Sequence, residues 1–246
     1  MRMGSCSRLL SLLSSLDLIT NPDHQPGESA GHMARVSAKE LLSALKLQYC
    51  SLMNGKPAPA PKDQPLVILT TTRLILRAAT EQDIPIMRER IFGDSDVMRY
   101  VFQGGAMTEQ SAEEMMRKHF TFGDSLTGIA ILTERPTGDI IGFAGLFPCA
   151  VLEADDFEIG FVLARQAWGK GIATEIGEAQ LAFGFERLNC RRLLGLVDPA
   201  NAPSIHALQK LGLRYLKDVA EPRRTNRSVF CIKIEEWRDR AREQRA

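Results

Sequence analysis

Phe157-Glu158-Ile159-Gly160-Phe161-Val162-Leu163-Ala164-Arg165-Gln166-Ala167-Trp168-Gly169-Lys170-Gly171-Ile172-Ala173-Thr174-Glu175 decides the fold of this 246-residue chain. Asp156–Leu163 reads as a strand, and a long helix follows from about Gly169 to Leu188. Its Ile172, Ile176, Ala179 and Phe183 recur at helical spacing and would face a sheet. A second strand, Leu193–Val197, comes next. A helix crossing between two such strands makes them parallel neighbours. At the junction, Gly169 and Gly171 allow a turn whose N–H groups converge with no Cβ in the way. The unpaired N–H groups and dipole of the helix start add to the attraction for an anion. Other phosphate loops fit poorly. A P-loop needs GxxxxGK followed by Ser or Thr, but here Gly171 follows Lys170 and Ala164 stands at the first glycine position. A dinucleotide loop would follow the first strand of a βαβ series. A glycine-rich helix entry without a ligand is the plain alternative.

Outward from this junction the pattern stays regular. Thr72–Arg77 alternates like a half-buried strand. A helical stretch opens at Thr80-Glu81-Gln82-Asp83 and ends near Ile91. Thr108–Phe122 reads as a second helix, with Thr108, Ser111 and Glu114 supplying capping chemistry. Strands at Gly128–Leu132, Asp139–Phe147 and Asp156–Leu163 form a meander, the first two joined by the turn Arg135-Pro136-Thr137-Gly138-Asp139. Downstream, Asn201 caps another helix that tolerates Pro203 in its first turn and stops at Gly212. Leu213–Leu216 and Ser228–Ile234 close the sheet.

Composition narrows the function. Hydrophobic residues make up 44% of the chain, enough for a full core. With 31 basic and 30 acidic residues, nothing favours non-specific nucleic-acid binding. No apolar run approaches the roughly 20 residues of a membrane span. The five cysteines (Cys6, Cys50, Cys149, Cys190, Cys231) lack CxxC spacing, and the four histidines are dispersed. The expectation is reduced thiols, no metal site and a cytoplasmic protein. Residues 1–65 read as an N-terminal extension. MRMGSCSRLLSLLSSLDLI has no acidic residue before Asp17 and is weakly similar to an organellar targeting segment, but Met33 offers a second beginning, so an overcalled start is the preferred reading. A short amphipathic helix at Ser37–Leu52 and the proline-rich linker GKPAPAPKDQP complete it. Residues 66–237 form the main domain and 238–246 a charged tail.

Two further motifs carry a resemblance. Asp198-Pro199-Ala200-Asn201-Ala202-Pro203-Ser204, followed by Leu208-Gln209-Lys210-Leu211-Gly212-Leu213, resembles the N-x-x-S…L-x-K-L-G-F stretch of GCN5-related N-acetyltransferases. Together with Trp168–Glu175, Thr71–Arg77 (T-x-R-L-x-L-R) and Ile141–Leu146, it is similar to the RimJ/RimL branch, which includes ribosomal-protein-alanine acetyltransferases. The resemblance covers roughly residues 66–237. It implies an α+β (mixed α/β) fold: a central, mostly antiparallel twisted sheet with a splayed parallel strand pair and helices on both faces.

The resemblance also implies acetyl-CoA as cosubstrate and no metal. Backbone groups of Trp168, Gly169, Lys170, Gly171, Ile172, Ala173 and Thr174 would hold its pyrophosphate. The first signature position, usually Gln or Arg, is Trp168 here. Backbone groups of Phe161, Val162 and Leu163 would pair with the pantetheine arm, as in strand addition. Asn201 matches the position that hydrogen-bonds the pantetheine, and Ser204 lies one helical turn on, near the sulfur. Glu158 is the candidate general base, acting through water, and Ser204 or water would protonate the leaving thiolate. Asp155 and Asp156 are expected only to end a loop, and Arg73 and Arg77 only to flank a strand as surface charges. Many members carry a Tyr acid near Leu208; this chain does not. His206 points to another helix face than Ser204.

The acceptor is an amine: by resemblance a protein N-terminal α-amine, with a small amine or aminoglycoside-like compound as the alternative. Its walls would come from Gln82–Ile91, Thr108–Phe122 and a loop bearing Glu221, Arg223, Arg224 and Arg227. The protein would be a monomer or homodimer, with no nucleic-acid or membrane partner. Two other classes stay open: a non-catalytic acyl-CoA-binding module and a nucleotide-binding protein of another fold.

Overall fold

β-branched and leucine-rich runs build one sheet around the junction. The computed structural model describes residues 64–102, 104–123, 125–220 and 226–243. The expected N-terminal helix, residues 55–63 of the linker, and Glu221, Arg223 and Arg224 lie outside the described residues. Eight strands form the sheet: β1 (Val67–Thr70), β2 (Leu74–Arg77), β3 (Ala130–Glu134), β4 (Ile140–Cys149), β5 (Asp156–Leu163), β6 (Arg192–Val197), β7 (Arg214–Val219) and β8 (Arg227–Lys233). They lie in the order β1-β2-β3-β4-β5-β6-β8-β7. Every neighbouring pair is antiparallel except β5 and β6, which are parallel.

The helices are α1 (Asp83–Met87), which continues as a π turn (Arg88–Phe92), α2 (Ser95–Met98), α3 (Glu109–His119), α4 (Ile172–Glu186), α5 (Ala202–Lys210) and α6 (Ile234–Glu243). Their ends follow local chemistry. Thr108 Oγ1 accepts from Ser111 N at 3.2 Å and starts α3. Asp94 Oδ1 accepts from the N–H groups of Asp96 and Val97 and starts α2. Asn201 Oδ1 accepts from Ser204 N and starts α5, with proline in its first turn.

One face of the sheet is covered by α1, the π turn, α2 and α3. Ile84, Met87, Ile91, Phe92, Met98 and Met116 pack there on Ile131 and Phe143. The other face carries α4: Ile172 and Ile176 meet Leu74, Leu76, Leu132 and Leu163, and Leu181 and Phe185 meet Ile159 and Leu193.

The structure departs from the sequence reading in several places. Val67–Thr70 is an additional strand paired with β2; its four residues are too few for a periodic signal. The short α2 is held by its Asp94 cap rather than by an apolar stripe. Helix α4 begins at Ile172, not Gly169, because Gly169 and Gly171 take left-handed φ values of 70° and 75°. Residues 238–243 of the expected charged tail belong to α6, where Trp237 packs on Phe185 with ring centroids 5.2 Å apart. Arg240 of that helix donates to Leu211 O and pairs with Glu178. Among the described residues, no helix is long and apolar enough to cross a membrane.

Candidate active site

The parallel strands β5 and β6 touch only at their N-terminal ends. Phe157 pairs with Leu193 and Glu158 with Leu194, and there the ladder stops. An ion pair staples the closed end: Arg192 Nε and Nη2 each donate to an Asp156 carboxylate oxygen at 2.7 Å. Asp156 is therefore more than a loop terminator; it is buried and locks the start of β5 to the start of β6. Beyond Glu158, β5 follows β4 alone to Leu163. Its other edge is open toward the strand end that leads into α5.

The open edge can be read residue by residue. Ala164 N donates to Ile141 O of β4 at 2.8 Å. By the two-residue alternation of a strand, Val162 also turns its peptide groups to β4, and Phe161 and Leu163 turn theirs to the open side. The expected trio thus divides into Phe161 and Leu163 at the edge and Val162 in the ladder. The Leu163 carbonyl is already engaged, accepting from Trp168 Nε1 at 2.8 Å. Gln180, fully buried on α4, donates Nε2 to Gly160 O at 3.1 Å.

Side chains along β5 alternate in the same way. Phe157, Ile159 and Phe161 pack with the α4 side, and Val162 packs with the cluster of α1 and α3. Glu158 shares the Val162 face, so its carboxylate stands on the side of the first helices. Gly160 lies between them under the ring of Phe147, where an added Cβ would come within 2.6 Å of Cζ. Cys149 is close enough to Glu158 and Asp156 that their charges reinforce burial in raising its thiol pKa.

At the mouth of the split lies the loop Trp168–Gly171. Gly171 is the N-cap of α4, and no side chain caps that helix. The first turn's N–H groups, on Ile172, Ala173 and Thr174, precede the first helical bond, from Glu175 N to Gly171 O. Ile172 sends its side chain into the core, and Lys170 is exposed. The loop is held from two sides. On one, Arg165 pairs with Asp94 and Asp96 and lies over the Trp168 ring at 5.8 Å. The hydrogen bond from Arg165 holds the Asp94 carboxyl down at about 2.

On the other side stands Arg73, which the sequence reading left as a surface charge. Its Nε meets Glu175 Oε2 at 2.5 Å and its Nη1 donates to Lys170 O at 3.0 Å. Glu175 Oε1 also accepts from Arg73 N and from Thr71 Oγ1. Burial alone would raise the Glu175 carboxyl, but the bonds from Thr71 and from the Arg73 main chain and guanidinium outweigh it and hold the group below its usual value. Arg77 pairs with the buried Asp83 beside α1 rather than facing solvent. The sequence signal for the loop clamp is Thr71-x-Arg73, but its partner lies about a hundred positions away.

Asn201 and Ser204 stand at the start of α5, across the split from the open edge of β5. Asn201 Oδ1 is occupied by its capping bond, which leaves its amide Nδ2 as the donor. Among the described residues, no group of three or more His, Cys, Asp or Glu could hold a metal ion.

Known proteins resemble this chain in sequence and in fold. The family described as the acetyltransferase (GNAT) domain matches residues 73–214. The uncharacterized protein YkkB of Bacillus subtilis (strain 168) is 32% identical over 154 residues, covering 61% of this chain and 87% of that protein. The uncharacterized N-acetyltransferase YnaD of the same organism is 30% identical over 146 residues, covering 59% and 82%. The crystal structure of a GNAT-family acetyltransferase from Bacillus anthracis superposes with a TM-score of 0.58 at 22% identity, covering 68% of this chain and 98% of that one. The split strand pair, the uncapped helix start beside it and the matched family together place the chain: it belongs to the acetyltransferase (GNAT) domain family and is an acetyl-CoA-dependent N-acetyltransferase.

Proposed function

We propose that this enzyme moves the acetyl group of acetyl-CoA to a protein N-terminal α-amine in the cytoplasm, in the manner of the RimJ/RimL-type acetyltransferases. One observation carries the reading: β5 and β6 part just after Glu158, and the uncapped start of α4 lies at the mouth of the split. Three N–H groups without helical partners suit a diphosphate. The open-edge peptide groups of Phe161 and the N–H of Leu163 suit the amides of the pantetheine arm. The Asn201 amide approaches the arm from the opposite side. The thioester then reaches the apex, beside Glu158.

The acceptor enters from the face of the first helices. Glu158 takes a proton from the ammonium through a water, leaving a lone pair on nitrogen. That nitrogen attacks the thioester carbonyl; the C–N bond forms and the C–S bond breaks. The departing thiolate takes a proton from the Ser204 hydroxyl or from water, that donor is reprotonated by the second proton the acylated nitrogen sheds, and the amide and free CoA leave. Of the α5 side chains that can give up a proton, Ser204, His206 and Lys210, Ser204 stands in the first turn beside Asn201 and Lys210 in the last. The T-x-R-L-x-L-R opening and Trp168 in the loop support the protein-directed branch. Free Cys149, Cys190 and Cys231, with thiols raised by burial, suit a reducing compartment.

The test is CoA release by the purified protein with peptides bearing free N-termini, set against spermidine and aminoglycosides. It is joined to mass spectrometry of protein N-termini in cells with and without the gene. Acetylated N-termini that vanish on deletion support the reading. Turnover with small amines alone overturns the acceptor, and CoA binding without any release makes the chain a non-catalytic module.

A further inference from the structure

The phosphate loop has a support behind it that acts through one peptide bond. Arg73 Nη1 donates to the Lys170 carbonyl, and in a trans peptide the following N–H points the opposite way. The Lys170–Gly171 peptide is therefore held with its oxygen toward Arg73 and the Gly171 N–H on the side away from it. Gly171, at φ 75°, then turns the chain into α4. A cation on the carbonyl also polarises that peptide and strengthens its N–H as a donor.

The same residues solve a charge conflict. Glu175 lies in the first turn of α4, where its negative charge would repel a bound diphosphate. Arg73 and Thr71 take both of its oxygens in hydrogen bonds, with Nε on one and the Thr71 hydroxyl and Arg73 N–H on the other. The carboxylate is turned to β1 and β2, away from the loop. We propose that Arg73 is a positioning residue for the cofactor diphosphate: it aims the Gly171 N–H at the anion and neutralises Glu175. This rests on the acetyl-CoA reading of the loop.

The experiment is calorimetric titration of the full chain with CoA, paired with the Gly171 amide signal in nitrogen-15 NMR. In the wild type, CoA moves the Gly171 amide proton downfield. Arg73→Ala weakens CoA binding about tenfold, the loss of one charge-assisted contact, and shrinks the Gly171 shift even at saturating CoA. Arg73→Lys restores part of the affinity. Thr71→Val, which leaves Arg73 in place and removes one of the two bonds to Glu175 Oε1, weakens binding less, and it serves if Arg73→Ala does not fold. CoA affinity within twofold of wild type in Arg73→Ala, or in Thr71→Val if only that variant folds, overturns the assignment. So does an unchanged Gly171 shift. Wild type that binds no CoA removes the loop reading itself, a separate result.

Discussion

Asp156 and Arg192 meet as a doubly hydrogen-bonded ion pair, 2.7 Å on each arm, where β5 and β6 begin their short parallel contact. The pair closes one end of the split and leaves the other free to open. Asp156 is buried and Arg192 partly exposed. Replacing Asp156 with Asn leaves the guanidinium half-satisfied and is expected to cost about 2–3 kcal/mol, read from urea unfolding. The double replacement Asp156→Leu with Arg192→Met is expected to be less damaging than the single one, since no charge is stranded.

Trp168 closes the mouth by a different contact, its indole N–H on the Leu163 carbonyl. Trp168→Phe keeps the ring beside Arg165 and removes only the donor. Acetyl-CoA affinity is expected to fall about fivefold, equivalent to ~1 kcal/mol, with turnover at saturation preserved. Calorimetry and initial rates together check this split.

Gly171 is required by its backbone conformation. At φ 75° any L side chain is strained, and a Cβ would stand 3.7 Å from Arg73 Nη2. Gly171→Ala is expected to weaken CoA binding about tenfold, from ~1–2 kcal/mol of left-handed strain. Gly171→Val is expected to abolish it. Retained affinity in the valine variant would remove the loop as the diphosphate seat.

Glu158 is the last position of β5 paired with β6, on the face of the first helices. Glu158→Gln is expected to leave CoA affinity unchanged while turnover drops about 100-fold or more. Its pH–rate profile is expected to lose the acidic limb. A variant that keeps that limb would transfer the role of base to another group or to water.

Glu175 predicts an acid-sensitive loop. Its folded pKa lies below the reference value of 4.5, so its bonds contribute fully above that pH. The contribution drains away as pH falls through the lower folded value. The melting-temperature gap between wild type and Glu175→Gln is therefore expected to hold from about pH 7 to pH 5 and to shrink below about pH 4. A gap that widens in acid would contradict the clamp.

Local chemistry in the chain was enough to establish the strand–loop–helix junction, the Asn201 cap, the turn at Arg135–Asp139 and the parallel pairing of β5 with β6. Each depends on residues within a few positions of one another, or on a periodicity that repeats over a whole element. The two glycines before the helix suggested only an anion seat, and the resemblance carried by Asn201, Ser204 and Lys210-Leu211-Gly212 pointed to acetyl-CoA as its occupant. What only the tertiary structure decided was which long-range partners hold that loop. Arg73 looked like a surface charge because its partner, Glu175, is about a hundred residues away. Asp156 looked like a loop end because its partner, Arg192, lies on the neighbouring strand 36 positions away. The sharing of peptide groups between Val162 in the ladder and Phe161 and Leu163 at the open edge depends on pairing register. Register is set by the packed sheet, so no window of sequence contains it.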